Sequence, residues 1–385
     1  MQRACAAALL YHGTTRVINP GISKDDMAAL SIIQQLGATV NTIADNQLEI
    51  TSRGIAPTGD TIHCGESGLS ARLFIPVAAL YNSEITVTAS GSLLNRPMTE
   101  YLKILPQLGV SISSNNTCLP MTVRGPLQPG DITIDGSLSS QFLSGLLMVY
   151  AFMATGTVTI HVNNLKSKPY IDLTLHMLAQ YGLHITNHNY GAFTLQPPSF
   201  DTSLSPVADI EADWSAAANF VVANAMGGTA DLRQLNMDSL QADVAILQVV
   251  NDNNLAFDFD ATDCPDLVPI LSVYAGYCKG DSTIHGLDRL IHKESNRVES
   301  ITAMLAQLGV EHTIEDNALH VKGGKPFNSC TVNSYNDHRI IMAAAVAALK
   351  ANGPVTIAQA EAVEKSYPAF FETLSSAGVH CQLVN

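Results

Sequence analysis

The sequence predicts an α/β (α+β) protein of two domains, built from six copies of one α/β unit with three copies in each domain. Three observations predict it. An apolar helical run, a glycine or serine turn and a short β-rich run recur six times. The copies are AAALLYHGTTRVI, RLFIPVAALYNSEITVTA, FLSGLLMVYAFMATGTVTIHV, AAANFVVANAMGGTADL, LVPILSVYAGYCKGDSTIHGL and IIMAAAVAALKANGPVTIAQA. Their turns fall near Gly13, Ser83, Gly156, Gly228, Gly280 and Gly353, about 70 residues apart with one shorter interval, a regularity that marks repeated architecture. A second amphipathic helix follows each run, as SIIQQLGATV, ILPQLGVSI, MLAQYGLHI, AILQVV, MLAQLGVEH and FETLSSAGVH. Most run into Gly and then Val or Ile, a helix C-cap entering a strand, so each unit reads α-β-α-β-β. Finally, 385 residues exceed one ordinary core. The polar, turn-rich PPSFDTSLSP at Pro197 to Pro206 is the seam, giving expected domains of 1–210 and 211–385.

The totals narrow the function. Hydrophobic residues make up 46% and charged residues 14%, a composition that buries well and leaves no disordered stretch of note. The longest nearly apolar run, Phe142 to Ala154, falls short of the ~20 residues a spanning helix needs, so no membrane role is expected. The start, Met-Gln-Arg-Ala-Cys, leads to no small-residue cleavage site, so no secretory leader is expected. Seven cysteines, odd in number and without a C-x-x-C pair, fit reduced thiols in the cytoplasm. A net charge of −14 argues against a nucleic-acid or anionic-membrane surface. An anionic small ligand remains open if the few cations converge.

The polar residues of interest recur at helix starts. First helices open with Arg3, with Gly65-Glu66-Ser67-Gly68 before Arg72, and with Ser139-Ser140-Gln141 in DGSLSSQFLSGLL. The later ones open with Asp213-Trp214-Ser215, Asp266 and Asn336-Asp337-His338-Arg339. Second helices open with Ser23-Lys24-Asp25-Asp26, Arg96-Pro97, Ser167-Lys168-Pro169-Tyr170, Asp238-Ser239, Lys293-Glu294-Ser295-Asn296-Arg297 and Lys365-Ser366-Tyr367-Pro368. Pro97, Pro169 and Pro368 suit first turns, where the missing N–H costs nothing. Parallel helices would gather their free N–H groups on one face, and two such faces would enclose an anion-attracting cleft. Singly, each residue has a plainer reading. Asp266 after Pro265 is a helix cap, Lys293 and Glu294 a solvated first turn, Arg72 a brace, Tyr170 and His338 core side chains, and Cys64 a structural thiol. No His or Cys stands at ligand spacing from another, so no metal is expected.

Jointly, DGSLSSQFLSGLL, SKPYID at Ser167 to Asp172, HKESNR at His292 to Arg297, YNDHRI at Tyr335 to Ile340 and KSYP at Lys365 to Pro368 resemble the EPSP synthase (3-phosphoshikimate 1-carboxyvinyltransferase) family, in order and over nearly the whole chain. The resemblance implies two globular domains of three repeats, with helices inside and sheets outside, an inside-out α/β barrel. It implies transfer of the enolpyruvyl group of phosphoenolpyruvate to the 5-hydroxyl of shikimate 3-phosphate in aromatic amino-acid biosynthesis. The protein would be a cytoplasmic monomer with no metal or organic cofactor. By the same resemblance Arg3, Ser139, Ser140, Gln141, Ser167 and Lys293 hold shikimate 3-phosphate, with Tyr170 flanking it. Gly68, Arg96, Gln141, Arg297, Arg339 and Lys365 hold phosphoenolpyruvate, and His338 supports them. Asp266 is the base at the 5-hydroxyl, so it too meets shikimate 3-phosphate, and Glu294 is the proton donor. The residue types suit the task. Arginine forks grip phosphate and carboxylate bidentately, and adding a hydroxyl across an enol needs an acid and a base. Domain closure around the substrates is implied as well.

Two departures from the family pattern carry expectations. The family's first motif has a Lys and a Ser before the position of Arg3, and this chain begins at Met1, after both. Losing such charge-assisted bonds, worth ~1.5–3 kcal/mol each, implies weaker phosphate binding or a late start. A sheet edge in the second domain would then lie open. Glu66 and Leu69 stand where the family usually has Asn and Thr. A carboxylate there would repel phosphoenolpyruvate unless Arg72 or another cation neutralises it. The alternatives are an impaired or non-catalytic binder of phosphoshikimate, and UDP-N-acetylglucosamine 1-carboxyvinyltransferase. The latter's reactive loop cysteine has no counterpart, since Cys118 sits in NNTCLP beyond a second helix.

Overall fold

The computed structural model describes residues 1–200, 204–250 and 253–384, so residues 201–203 of the expected seam lie outside the described residues. The chain divides into two compact units, Met1–Glu211 and Ala212–Asn385.

The first unit builds the same four-stranded sheet three times. In its second copy the strand Thr61–His63 leads into the helix Gly68–Ala78, and Ile85–Thr88 returns parallel to it in the register Ile62 to Val87. The hairpin of Ser111–Ser114 and Met121–Arg124 completes the sheet, with the latter strand antiparallel to Ile85–Thr88. The third copy repeats this order with Ile132–Asp135, Val158–Asn163, Ala192–Leu195 and Ile185–His188. The first copy takes its leading strand from the far end of the unit. Val207–Asp209 pairs parallel with Gly13–Ile18, which ties the unit's end to its beginning.

Burial explains the layering within this unit. Ile132 and Ile134 are buried while Thr133 and Asp135 are exposed, so the sheet covers one face only. The helices Gln2–Leu10, Gly68–Ala78 and Ser140–Met153 are buried nearly all round, the pattern of interior helices. Two of them touch at Gly145, where a Cβ would strike the Arg72 carbonyl and stand 2.5 Å from the Tyr101 hydroxyl. Glycine is what lets the Ser140–Met153 helix lie against the helix that carries Arg72.

The second unit has one complete sheet of the same order, Asp258–Asp260, Asp281–His285, Ala318–Lys322 and Glu311–Glu315, and a parallel pair, Cys330–Asn333 with Val355–Ala358. Its first repeat departs from expectation. After the helix Trp214–Ala225 the segment GGTADL forms no strand, nor does any other described residue up to Val250. The Asn224 amide explains this, because it donates to the Ala230 carbonyl (2.9 Å) and accepts from the Ala230 N–H (2.7 Å), the groups a ladder would use. AILQVV yields only the single turn Ile246–Val249. Among the described residues no helix is long and apolar enough to cross a membrane.

Several expected helix starts are also corrected. The helix after HKESNR begins at Arg297, so Lys293 and Glu294 lie in extended or irregular chain before it. Lys365 ends the 3-10 turn Ala360–Lys365, and the following helix begins at Phe370. Arg96 follows the 3-10 turn Gly91–Asn95 and precedes the helix Thr99–Ile104. Side-chain bonds to distant elements, described next, fix the two lysines in place of helical hydrogen bonds.

Candidate active site

Each unit carries a cluster of basic and polar residues at the starts of its interior helices. In the first unit Ser67 caps the helix Gly68–Ala78 by accepting from Ser70 N–H, and Ser139 caps Ser140–Met153 by accepting from Gln141 N–H. The caps set Gly68, Arg72, Ser140 and Gln141 in the opening turns of the two helices. Arg72 is buried, donates to the Gln141 side-chain oxygen at 2.9 Å, and lies 4.9 Å above the Phe142 ring. It braces Gln141, and the same nitrogen donates to the Gly68 carbonyl of its own helix at 3.4 Å. Gly68 sits between two guanidinium groups, for a Cβ there would lie 2.6 Å from Arg96 Nη1 and 3.0 Å from Arg72 Nη1. The Glu66 carboxylate lies against Gly91, where a Cβ would strike it.

Arg3 belongs to the same unit. Its Nε donates to Thr174 Oγ1 at 2.9 Å and Nη2 to the Tyr170 carbonyl at 3.1 Å, and Thr174 in turn donates to Ser144. Both partners of Arg3 are neutral, and burial lowers its guanidinium pKa to about 10. Ser167, the N-cap of Lys168–Ala179, is buried in the left-handed region at φ +54° and makes no capping bond with its side chain. A non-glycine residue held there stores strain of order 1–3 kcal/mol, a feature that clusters at ligand sites.

The second unit gathers its charges around Arg297, whose side chain is 1% exposed. Nη1 donates to Asp266 Oδ1 at 2.6 Å, Nη2 to Glu294 Oε2 at 2.6 Å, and Nε to Asp337 Oδ2 at 2.9 Å. Lys293 Nζ reaches the same Asp266 oxygen at 3.1 Å, and Arg339 Nη2 lies 3.8 Å from Oδ2. Asp337 also caps the helix His338–Ala347 by accepting from Arg339 N–H, and it receives Ser295 Oγ at 3.0 Å. Lys365 Nζ donates to the Asn336 carbonyl at 2.7 Å, so the 3-10 turn is tied to the same helix start. Arg339 keeps two buried donors, Nε and Nη1, that meet no hydrogen-bond acceptor among the described residues.

The charges settle one another. Burial alone would raise the Asp266 pKa, but Lys293, Arg297 and Arg339 together hold it well below the carboxylate range. Burial, reinforced by Asp266, pushes Asp243 up to about 6 even though Ser215 donates to it. Burial lowers His338 to about 4, so the ring is neutral at pH 7, and its Nδ1 has no hydrogen-bond partner. His292 is exposed. Cys64 is buried with its thiol pushed up to about 12, which leaves it inert. Among the described residues no three His, Cys, Asp or Glu side chains stand where they could hold a metal.

The first cluster thus contains Arg3, Gly68, Arg96, Ser139, Ser140, Gln141, Ser167 and Tyr170. The second contains Asp266, Lys293, Glu294, Arg297, His338, Arg339 and Lys365. No site role was expected of Asp337 and Ser215, although both stand at helix starts that the sequence marks, nor of Asp243. Asp337 could have been read from the cap position in NDHR; Asp243, in the 3-10 turn Ala242–Ala245, leaves no such mark.

Comparison with solved structures first gives the class. The fold is that of the enolpyruvyl transferases. It matches EPSP synthase from Acinetobacter baumannii with a TM-score of 0.78 at 22% identity, over 98% of this chain and 93% of that one. It also matches the enolpyruvyl transferase NikO from Streptomyces tendae with a TM-score of 0.74 at 16% identity, over 98% and 92%. Sequence gives the family. The profile of EPSP synthase (3-phosphoshikimate 1-carboxyvinyltransferase) matches residues 2–374. The enzymes of that name from Clostridium novyi and Methanocorpusculum labreanum are each 32% identical over 98% of this chain, covering 92% and 93% of their own lengths. The chain belongs to the EPSP synthase family of transferases.

Proposed function

We propose that the protein transfers the 1-carboxyvinyl group of phosphoenolpyruvate to the 5-hydroxyl of shikimate 3-phosphate and releases phosphate. The observation that carries this reading is the placement of two partly exposed carboxylates, Asp266 and Glu294, on adjacent nitrogens of one buried guanidinium, each at 2.6 Å. Addition to an enol needs an acid and a base held close to a cation that can steady the donor's anionic groups.

Asp266 takes the proton of the 5-hydroxyl as its oxygen bonds to the substituted carbon of the enol, and Glu294 gives a proton to the methylene carbon. The reverse proton movement at that carbon then expels phosphate, which leaves with the proton held by Asp266, and restores the double bond. Arg297, Arg339 and Lys365 steady the donor with Arg96, Gly68 and Gln141. Arg3, Ser139, Ser140, Gln141, Ser167, Tyr170 and Lys293 hold the phosphorylated acceptor. Arg3 supports this role, since a partly buried guanidinium with neutral partners favours an anion.

The protein would act as a cytoplasmic monomer, a location to which its seven free cysteines are suited. The test is phosphate release by the full chain with both substrates present. Release is expected to need both and to fall at least about a thousandfold in Glu294→Gln and Asp266→Asn. Absence of release, or release by the variants at the original rate, would overturn the assignment.

A further inference from the structure

Ser23, Ser67 and Ser139 each cap the helix they open by accepting a backbone N–H from its first turn. Ser167 opens the helix Lys168–Ala179 without doing so, because it sits at φ +54° and its side chain makes no capping bond. Pro169 brings no N–H to that turn. The opening of this helix is therefore held by something other than its own cap.

The hold comes from the hairpin of Ile185–His188 and Ala192–Leu195. Its turn carries Tyr190, whose hydroxyl donates to the Asp172 carboxylate, 3.0 Å from one oxygen and 2.9 Å from the other. Lys168 Nζ lies over the same ring, 5.4 Å from its centre, and the wholly buried Phe193 meets the ring edge to face at 6.4 Å. Lys168 and Asp172 are four residues apart and share one face of the helix, so a single side chain grips both. Tyrosine is a strained choice for this turn, since φ is +61° at Tyr190 and +52° at Asn189. The Asn187 side chain accepts the Tyr190 N–H at 2.7 Å and fixes the turn. Glycine would fit that backbone without strain, so it is the ring and its hydroxyl that account for the tyrosine.

Two residues further round, on the opposite side of the helix, stand the groups that meet Arg3. Arg3 Nη2 donates to the Tyr170 carbonyl at 3.1 Å and Nε to Thr174 Oγ1 at 2.9 Å, and Thr174 Oγ1 lies 3.0 Å from that carbonyl. The helix opening is thus clamped between Tyr190 on one side and Arg3 on the other. We propose that Tyr190 is a positioning residue of the acceptor site. Through Asp172 and Lys168 it fixes the first turn of Lys168–Ala179, and with it the backbone of Ser167 and the direction of the Arg3 guanidinium. The role rests on the proposed reading of Ser167, Tyr170 and Arg3 as holders of shikimate 3-phosphate, and deepens it.

Tyr190→Phe keeps the ring against Lys168 and Phe193 and removes the hydroxyl. In the full chain the KM for shikimate 3-phosphate should rise about three- to tenfold, while kcat and the KM for phosphoenolpyruvate stay within about twofold. Equal rises in both KM values, or an acceptor KM that does not move, overturn the proposal. Asp172→Asn should act on the same constant, and the double variant should be no worse than the worse single one, because both weaken one bond. Additive losses overturn it. Amide hydrogen exchange read on residues 165–175 without substrate should quicken in Tyr190→Phe, while urea unfolding of the whole chain shifts little. Exchange that is unchanged there, or quickened throughout the unit, overturns it whatever the reaction is. If the unaltered chain releases no phosphate, the proposed reaction fails on its own account, and calorimetry of shikimate 3-phosphate binding replaces KM in the same comparison. If the unaltered chain does not bind shikimate 3-phosphate, both the reaction and the role of Tyr190 fall.

Discussion

Two arginines, Arg3 in the first unit and Arg297 in the second, solve the same problem in opposite ways. Both are desolvated. Arg3 rests on a hydroxyl and a backbone carbonyl, and its pKa is lowered by burial. Arg297 is wrapped by three carboxylates. Burial would lower its pKa, yet Asp337, Glu294 and Asp266 hold it well above the ordinary value. The difference teaches what each site has ready. Arg3 presents a charge with neutral partners, so in the proposed function a phosphate there would add an ion pair. Arg297 presents a charge already paired with carboxylates, so in the proposed function a ligand there would exchange one ion pair for another.

The same substitution at the two sites is the sharpest way to break this comparison. Arg297→Met strands the wholly buried Asp337, whose ion pair is with Arg297, and leaves Asp266 to Lys293 and Arg339. An uncompensated buried charge costs about 3–5 kcal/mol. Urea denaturation of the full chain should show a loss of that size, with phosphate release abolished. Arg3→Met removes a charge whose partners are neutral, so stability should change by about 1 kcal/mol or less while the KM for shikimate 3-phosphate rises. Equal stability losses would mean that Arg3 has a counter-charge, and the contrast would fail.

Gly68→Ala probes the first unit more gently. The new methyl would lie 2.6 Å from Arg96 Nη1 and 2.9 Å from its Cζ, so the guanidinium must shift. A displaced charge-assisted contact is worth ~1.5–3 kcal/mol, so the KM for phosphoenolpyruvate should rise about tenfold or more. The KM for shikimate 3-phosphate should change less, because the nearest atoms the new methyl meets are those of Arg96 and Arg72, not of Arg3 or Ser167. A parallel rise in both would point to a general collapse of the helix start.

Asp243→Asn tests the second unit through pH. The folded pKa of Asp243, about 6, lies above the ordinary carboxylate value. The folded state therefore holds this proton more tightly than the unfolded chain does. Stability from this group is present at low pH and is lost as pH rises from about 4 through 6. The amide variant removes that loss. It should be the more stable form at pH 8, by about 1–3 kcal/mol, and lose the advantage near pH 4. Asp266 has the opposite sign, since its depressed pKa contributes stability that disappears only as pH falls below the ordinary carboxylate range. Thermal unfolding of Asp243→Asn from pH 4 to 8 separates the two.

What the sequence shows and what it hides follow the same division. The helix, glycine and strand pattern around Gly156 or Gly280 is local, and periodicity reveals it. The caps Ser139 and Asp337 are local too. The pairing of Lys293 with Asp266 or of Arg297 with Asp337 spans elements far apart in the chain, and nothing in HKESNR states that its charges are already satisfied. That is why Lys293 and Glu294 resemble a solvated first turn and are instead held outside the helix. The missing strand at GGTADL depends on one side chain, Asn224, that competes with the ladder. Asp243 is hidden for a third reason. Its unusual proton affinity comes from burial, which only the packed unit supplies.

The smallest expected effect lies at Ser167, and it separates strain from chemistry within the first unit. At φ +54° and ψ 49° this serine occupies a region that costs an L-residue roughly 1–2 kcal/mol and costs glycine little. Ser167→Gly relieves the strain and removes the hydroxyl, whereas Ser167→Ala removes the hydroxyl and keeps the strain. Glycine also gains freedom in the unfolded chain, which offsets part of the relief. The glycine variant should therefore exceed the alanine variant in stability by no more than about 1 kcal/mol. If the hydroxyl binds the acceptor, both variants should show a similar rise in the KM for shikimate 3-phosphate, with the KM for phosphoenolpyruvate unchanged. An alanine variant with unaltered KM would remove Ser167 from the binding set and leave its strained backbone as a consequence of packing alone.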